Sequence, residues 1–103
     1  MEILDNYKLT DFQKRVLIEV SKIPKGKVLT YAQVAKRIGR PKAYRAVGSA
    51  LRKNPLPILI PCHRVVRSNG IGEYSFGGKR AKAFLLKLEG LQNFNAKLKR
   101  FLQ

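Results

Sequence analysis

Cys62 and His63 stand side by side in Pro61-Cys62-His63-Arg64-Val65-Val66, and they are the chain's only cysteine and only histidine. A thiol beside an imidazole in a basic chain is a candidate nucleophile, because the thiolate is the reactive form and cations favour it. A lone cysteine is otherwise most often a small buried hydrophobe. The stretch His63 to Arg67 reads as a short strand, on which neighbouring side chains point to opposite faces. Direct proton transfer from Cys62 to His63 is awkward on that geometry. A relay through a water, with a carboxylate behind the imidazole, suits it better. One cysteine excludes an intrachain disulfide framework, and one cysteine with one histidine cannot make a standard tetrahedral zinc site.

The chain around this pair is short and strongly cationic. Its 103 residues allow one domain, and 22 Lys and Arg against 6 Asp and Glu give a net charge of +16. Such a field keeps copies apart, so a monomer is expected, with a polyanion as natural partner. No acid lies between Glu19 and Glu73, while twelve bases do, among them Lys36, Arg37, Arg40, Lys42, Arg45, Arg52 and Lys53. Mixed signs would serve solubility equally well, so this window is expected to bind phosphate. The start Met1-Glu2-Ile3-Leu4-Asp5 lacks the basic region and apolar stretch of a signal peptide. Leu56 to Pro61, the longest apolar stretch, is far short of the ~20 residues of a membrane helix. An intracellular protein that binds nucleic acid and no membrane is the expectation.

Two helix starts are written in the same way. Thr10-Asp11-Phe12-Gln13 is a capping box, followed at helical spacing by Phe12, Val16, Leu17, Val20 and Ile23, and this helix is expected to end at Pro24-Lys25-Gly26. After an extended Val28-Leu29, Thr30-Tyr31-Ala32-Gln33 opens a second helix through Val34, Ala35 and Ile38, stopped by Gly39. A third runs from about Lys42 to Lys53 with Ala43, Ala46, Val47, Ala50 and Leu51 inward. The last two form a helix-turn-helix pattern. Gly48 weakens its helix and needs a reason: close packing of a neighbour, or close approach to a nucleic-acid backbone.

Beyond Asn54-Pro55, Leu56 to Pro61 reads as a buried, proline-bounded segment. The strand from His63 turns at Ser68-Asn69-Gly70, and a glycine-rich loop spans Gly70 to Gly78 without the spacing of a dinucleotide site. A further helix, with Ala81, Leu85 and Leu88 inward, ends at Glu89-Gly90. Leu91, Phe94, Leu98 and Phe101 then predict a final amphipathic helix over about 91–103. The fold class is mainly α with a short strand or wing, a winged-helix-like helix-turn-helix DNA-binding domain with its core at about 10–90.

Ile60-Pro61-Cys62-His63-Arg64-Val65-Val66 resembles the active-site signature of the O6-alkylguanine-DNA alkyltransferases. Thr30 to Ala35, Arg45 to Ala50, Asn54-Pro55 with Pro57-Ile58, Tyr74-Ser75, and Leu85-Leu86 with Glu89-Gly90 resemble the same family in order and spacing, from about Phe12 to Gly90. The resemblance implies irreversible, stoichiometric transfer of an alkyl group from O6-alkylguanine in double-stranded DNA to Cys62. The damaged base is flipped out of the duplex after minor-groove binding, and no metal or soluble cofactor takes part.

It also implies roles residue by residue. His63, through a water and backed by Glu89, takes the thiol proton of Cys62. Tyr31 crowds the backbone phosphate and donates to ring nitrogen 3 of guanine, stabilising the leaving anion. Arg45 fills the vacated stack, while Ala46, Gly48, Ser49, Arg52 and Lys42 belong to the DNA-binding face. The carbonyls of Cys62 and Val65 accept from the guanine amino group, Tyr74 and Ser75 line the pocket, and Asn54 braces the segment leading to Cys62. Lys82 stands where the family carries a lysine near the pocket; an ordinary solvated helix lysine is the alternative, as an ordinary salt bridge is for Glu89.

Only some ten residues precede the first helix, where the family commonly carries an additional N-terminal domain, so that domain is expected to be absent. Gly70-Ile71-Gly72-Glu73 is one residue shorter than in many relatives, and Phe76 stands between Ser75 and Gly77-Gly78. Alkyltransferase-like proteins, which bind alkylated DNA without reacting, are similarly short but typically carry tryptophan at the position of Cys62. A helix-turn-helix regulator would explain the charge but not the Cys-His segment.

Overall fold

Thr10 starts the first helix in the way its sequence predicts. In the computed structural model, which describes residues 2–90, the Thr10 hydroxyl accepts from the Gln13 amide at 3.0 Å and Gln13 Oε1 accepts from the Thr10 amide at 2.9 Å. The helix, α1 (Asp11–Ser21), presents Val16, Leu17 and Val20 to the core with no exposure. Each such burial contributes about 1.5–3 kcal/mol. A 3-10 turn at Glu2–Asn6 precedes it and inserts Leu4 into the same core.

Thr30 and Gln33 repeat the capping box at α2 (Tyr31–Arg37), satisfying two amides that a helix start leaves free. Gly39, at φ +77°, ends that helix. The third helix, α3, runs Tyr44–Arg52, so Lys42 lies in the preceding turn rather than inside the helix. Val47, Ala50 and Leu51 face inward as predicted, but Ala46 is exposed. Arg15 Nη2 donates to the Ile38 carbonyl at 2.8 Å and ties α1 to the end of α2.

Two short strands close the other side. β1 (Leu29–Thr30) and β2 (Val65–Val66) pair in parallel, Leu29 opposite Val65 and Thr30 opposite Val66. This pairing sets the start of α2 beside the chain that follows Cys62. The fold is thus mainly helical with one two-stranded sheet, completed by α4 (Gly78–Leu88).

Three expectations are corrected here. His63 and Arg64 lie not on a strand but on a 3-10 turn, Cys62–Arg64, stabilised where the Arg64 amide donates to the Pro61 carbonyl at 2.9 Å. Pro57, Ile58 and Leu59 are exposed rather than buried, Ile58 at 58% and Leu59 at 60%. On α4 the buried side chains are Lys82 and Leu86, whereas Leu88 is 64% exposed. The helix expected over 91–103 lies outside the described residues.

Candidate functional site

A cleft of about 740 Å³ opens between the start of α2, the outer face of α3 and the loop after β2. That volume falls within the usual range for small-ligand sites, about 300–1,000 Å³. Tyr31, Arg45, Gly48, Ser49, Arg52, Cys62, Tyr74 and Ser75 line it, so most of the residues singled out in the sequence share one wall. Ala46 and Lys42 are exposed but stand outside it, and Val65 is fully buried behind. Tyr44, Arg67 and Glu73 also line the cleft and were not foreseen. An exposed aromatic next to Arg45 is the signal that would have found Tyr44.

Gly48 can be judged from its surroundings. An added Cβ would sit 3.8 Å from Tyr31 Cε1, an ordinary contact, so packing within the chain does not demand glycine there. Gly72 differs. At φ +80° its missing Cβ would fall 2.8 Å from the Tyr31 hydroxyl, so the loop lies directly on that ring.

Cys62 is 6% exposed and lines the cleft. Burial pushes the thiol up, although Asn54 beside it and the Lys82 charge pull the other way. At neutral pH the thiol therefore keeps its proton. Asn54 Nδ2 donates to the Ile60 carbonyl at 3.0 Å and Asn54 Oδ1 accepts from the Leu56 amide at 2.9 Å. The end of α3 is thereby clamped to the residues just before Cys62.

His63 follows Cys62 in the chain and faces inward. His63 is 1% exposed and its Nε2 lies 3.0 Å from Glu89 Oε2. An ionised carboxylate can only accept, so Nε2 carries the hydrogen and Nδ1 carries the free lone pair. Nδ1 is buried with no hydrogen-bond partner among the described residues. Burial lowers the His63 pKa, outweighing the pull of Glu89, so the ring is neutral at pH 7. Glu89 caps the C-terminus of α4, where the helix dipole disfavours a negative charge. Burial works to raise its pKa as well, but Arg64 and His63 together hold it below the usual carboxylate range.

Arg64 was overlooked in the sequence as one base among many. Its Nε donates to Glu89 Oε1 at 2.9 Å, its Nη2 to Glu89 Oε2, and its Nη1 to the Ile23 carbonyl at 2.7 Å. The salt-bridge reading of Glu89 and the reading as His63's partner are therefore both realised, on one carboxylate.

Lys82 is not a solvated helix lysine. It is fully buried, donates to the Glu73 carbonyl at 3.0 Å and stands 5.8 Å from the Tyr31 ring centroid. Burial lowers its pKa to about 8. Tyr74 meets the His63 ring edge-on at 6.3 Å and the Phe76 ring at 5.6 Å.

The helix pair α2–α3 thus presents Arg45 and Arg52 on a cleft that Cys62 also lines, and the next residue in the chain is a buried, neutral imidazole. The family follows from comparison. The model of the 6-O-methylguanine DNA methyltransferase DNA-binding domain matches residues 11–91, and the chain belongs to that family. It is 54% identical over 82 residues to the Rattus norvegicus methylated-DNA–protein-cysteine methyltransferase, covering 78% of this chain and 39% of the relative. With the Saccharolobus islandicus protein of the same name it is 53% identical over 87 residues, 84% of this chain and 56% of the relative. The chain therefore spans roughly two-fifths to just over half of these curated relatives. Among solved structures, Mycobacterium tuberculosis OGT in complex with DNA superposes with a TM-score of 0.77 at 44% identity, covering 81% of this chain and 51% of that one. S. pombe Atl1, in complex with damaged DNA containing O6-carboxymethylguanine, superposes with a TM-score of 0.73 at 27% identity over 94% of this chain and 98% of Atl1. No described helix is long and apolar enough to cross a membrane.

Proposed function

We propose that this chain is the cysteine-bearing active domain of its family, with residues 10–90 as the working unit, and that it repairs O6-alkylguanine in duplex DNA by direct reversal. The observation that carries this reading is that Cys62 lines the cleft while the next residue, His63, is buried, bonded through Nε2 to Glu89 and left with Nδ1 unpartnered among the described residues. The α3 face enters the minor groove, where Gly48 and Ser49 allow close approach. Arg45 occupies the space of the extruded base, its planar guanidinium stacking on the neighbours. In the cleft the Cys62 thiol proton passes through a bridging water to His63 Nδ1. The sulfur then attacks the alkyl carbon in line, a C–S bond forms and the C–O6 bond breaks.

Guanine leaves as an anion, which a proton donated by Tyr31 towards ring nitrogen 3 stabilises. One lone pair of the Cys62 carbonyl already accepts from the Val65 amide, leaving a second for the guanine amino group. The thioether is not cleaved, so each molecule acts once. A protein that works on duplex DNA in this way acts inside the cell.

The test is to incubate the chain with a duplex containing O6-methylguanine and weigh it. A gain of one methyl group, absent in Cys62→Ala, is expected. The near-complete overlap with Atl1 favours a second reading, binding of alkylated DNA without reaction; unchanged mass with tight lesion binding would establish it. Preference for one undamaged sequence would instead indicate a regulator.

A further inference from the structure

Glu89 accepts from two residues that make different demands on it. From His63 it takes the Nε2 hydrogen, which aims the Nδ1 lone pair away from the carboxylate. From Arg64 it takes two hydrogen bonds in the side-by-side fork that guanidinium and carboxylate geometry favour. A buried imidazole facing a carboxylate that has no other cation draws a proton and becomes imidazolium, and imidazolium has no lone pair to offer a thiol. With the guanidinium in place the pair Arg64–Glu89 is neutral as a unit.

We propose that Arg64 is a positioning residue that claims the charge of Glu89, so that the carboxylate orients His63 without protonating it. The third Arg64 bond, from Nη1 to the Ile23 carbonyl, ties the guanidinium to the chain just after α1. Arg64 is 16% exposed at its side chain and Glu89 14%, so water screens the unit little. The other groups facing His63 do not replace it. Tyr74 presents a ring edge, and Lys82 on α4 lends its amine to the Glu73 carbonyl rather than to Glu89. Both cations, Arg64 and Lys82, oppose a charge on His63, while Glu89 favours it. Arg64 is the one of the two that touches the carboxylate.

This inference rests on the proposed use of His63 as a base, but its first test does not. Because His63 is the only histidine, its ring protons give a single NMR titration curve in the intact chain. In Arg64→Met, which keeps an unbranched apolar stem, the His63 midpoint moves upward; in Arg64→Lys, which keeps charge but loses the fork, it moves upward by less. The same order is expected in the acid limb of alkyl transfer to Cys62 from a free O6-alkylguanine base, where the rate of Arg64→Met at pH 6 falls by about tenfold and recovers towards pH 8. If Arg64→Met does not fold, Arg64→Lys alone decides. A midpoint that stays put or moves down in a folded variant overturns the proposal. A chain that never gains alkyl mass overturns the proposed function while leaving the titration result standing.

Discussion

The two sides of Cys62 are built on opposite rules. Towards the cleft, Arg45, Ser49 and Arg52 are exposed, and no acid shares α3 with them. Towards the interior, His63, Arg64, Glu89 and Lys82 are wholly or largely buried, and His63 Nδ1 is the one buried side-chain polar atom without a partner among the described residues. The outer side stores unspent charge for a polyanion, where loose, solvated cations cost little. The inner side pairs Arg64 with Glu89 and gives the Lys82 amine a carbonyl, because an unpaired charge there is expensive. On the proposed function, one side selects the DNA and the other prepares the sulfur.

The sharpest way to break that division is at the sulfur. Cys62→Ala abolishes mass gain from a methylated duplex while leaving lesion binding within about threefold, measured by mass spectrometry and fluorescence anisotropy; loss of binding as well would show that the sides are not separable. On the inner side, His63→Gln slows transfer by about 10²–10⁴-fold, on duplex and free base alike. The unsubstituted chain loses activity as pH falls through the lowered His63 pKa, because protonation fills Nδ1. On the outer side, Arg45→Ala is expected to slow transfer from duplex by about tenfold or more and transfer from the free base by less than twofold. Equal slowing on both substrates would place Arg45 in the chemistry instead.

Lys82 sharpens the contrast through stability. Its pKa is about 8 in the fold against 10.5 when free, so between these values the unfolded chain binds more protons and stability rises with pH. Urea titrations at pH 7 and pH 10 should show the chain gaining of the order of a few kcal/mol relative to Lys82→Met; no relative gain would mean that the amine is solvated. The smallest effect is that of Thr30→Ala, which removes one cap bond of α2 and costs about 1 kcal/mol without changing transfer from the free base.

Much of this was legible because local chemistry decided it. Thr10 with Gln13 and Thr30 with Gln33 announce their helices, and Val47, Ala50 and Leu51 fix the inward face of α3 whatever surrounds it. The pairing of His63 with Glu89 was legible only through the family resemblance, since 26 residues separate the two in the chain. Where the reading failed, a tertiary partner overrode a local preference. Lys82 goes inward because the Glu73 carbonyl receives its amine, and that rotates α4 so that Leu88 faces out. Ile58 and Leu59 face solvent because Asn54 and the Leu56–Ile60 bond pinch the segment into a loop, with Ile58 at φ +72°. Apolarity alone does not reveal a pinch. His63 was misplaced for the same reason, since a run of Val65-Val66 suggests a strand whose start only backbone bonding can mark.

The clamp made by Asn54 has a consequence for tolerance. One side chain grips Leu56 and Ile60, the two ends of a five-residue excursion, so on the proposed function the span from the groove-facing surface to the reacting sulfur is set like the jaws of a gauge. Residues may be exchanged on the excursion's outer rim without altering that span, whereas lengthening or shortening the chain between the jaws would put a correctly gripped duplex at the wrong depth.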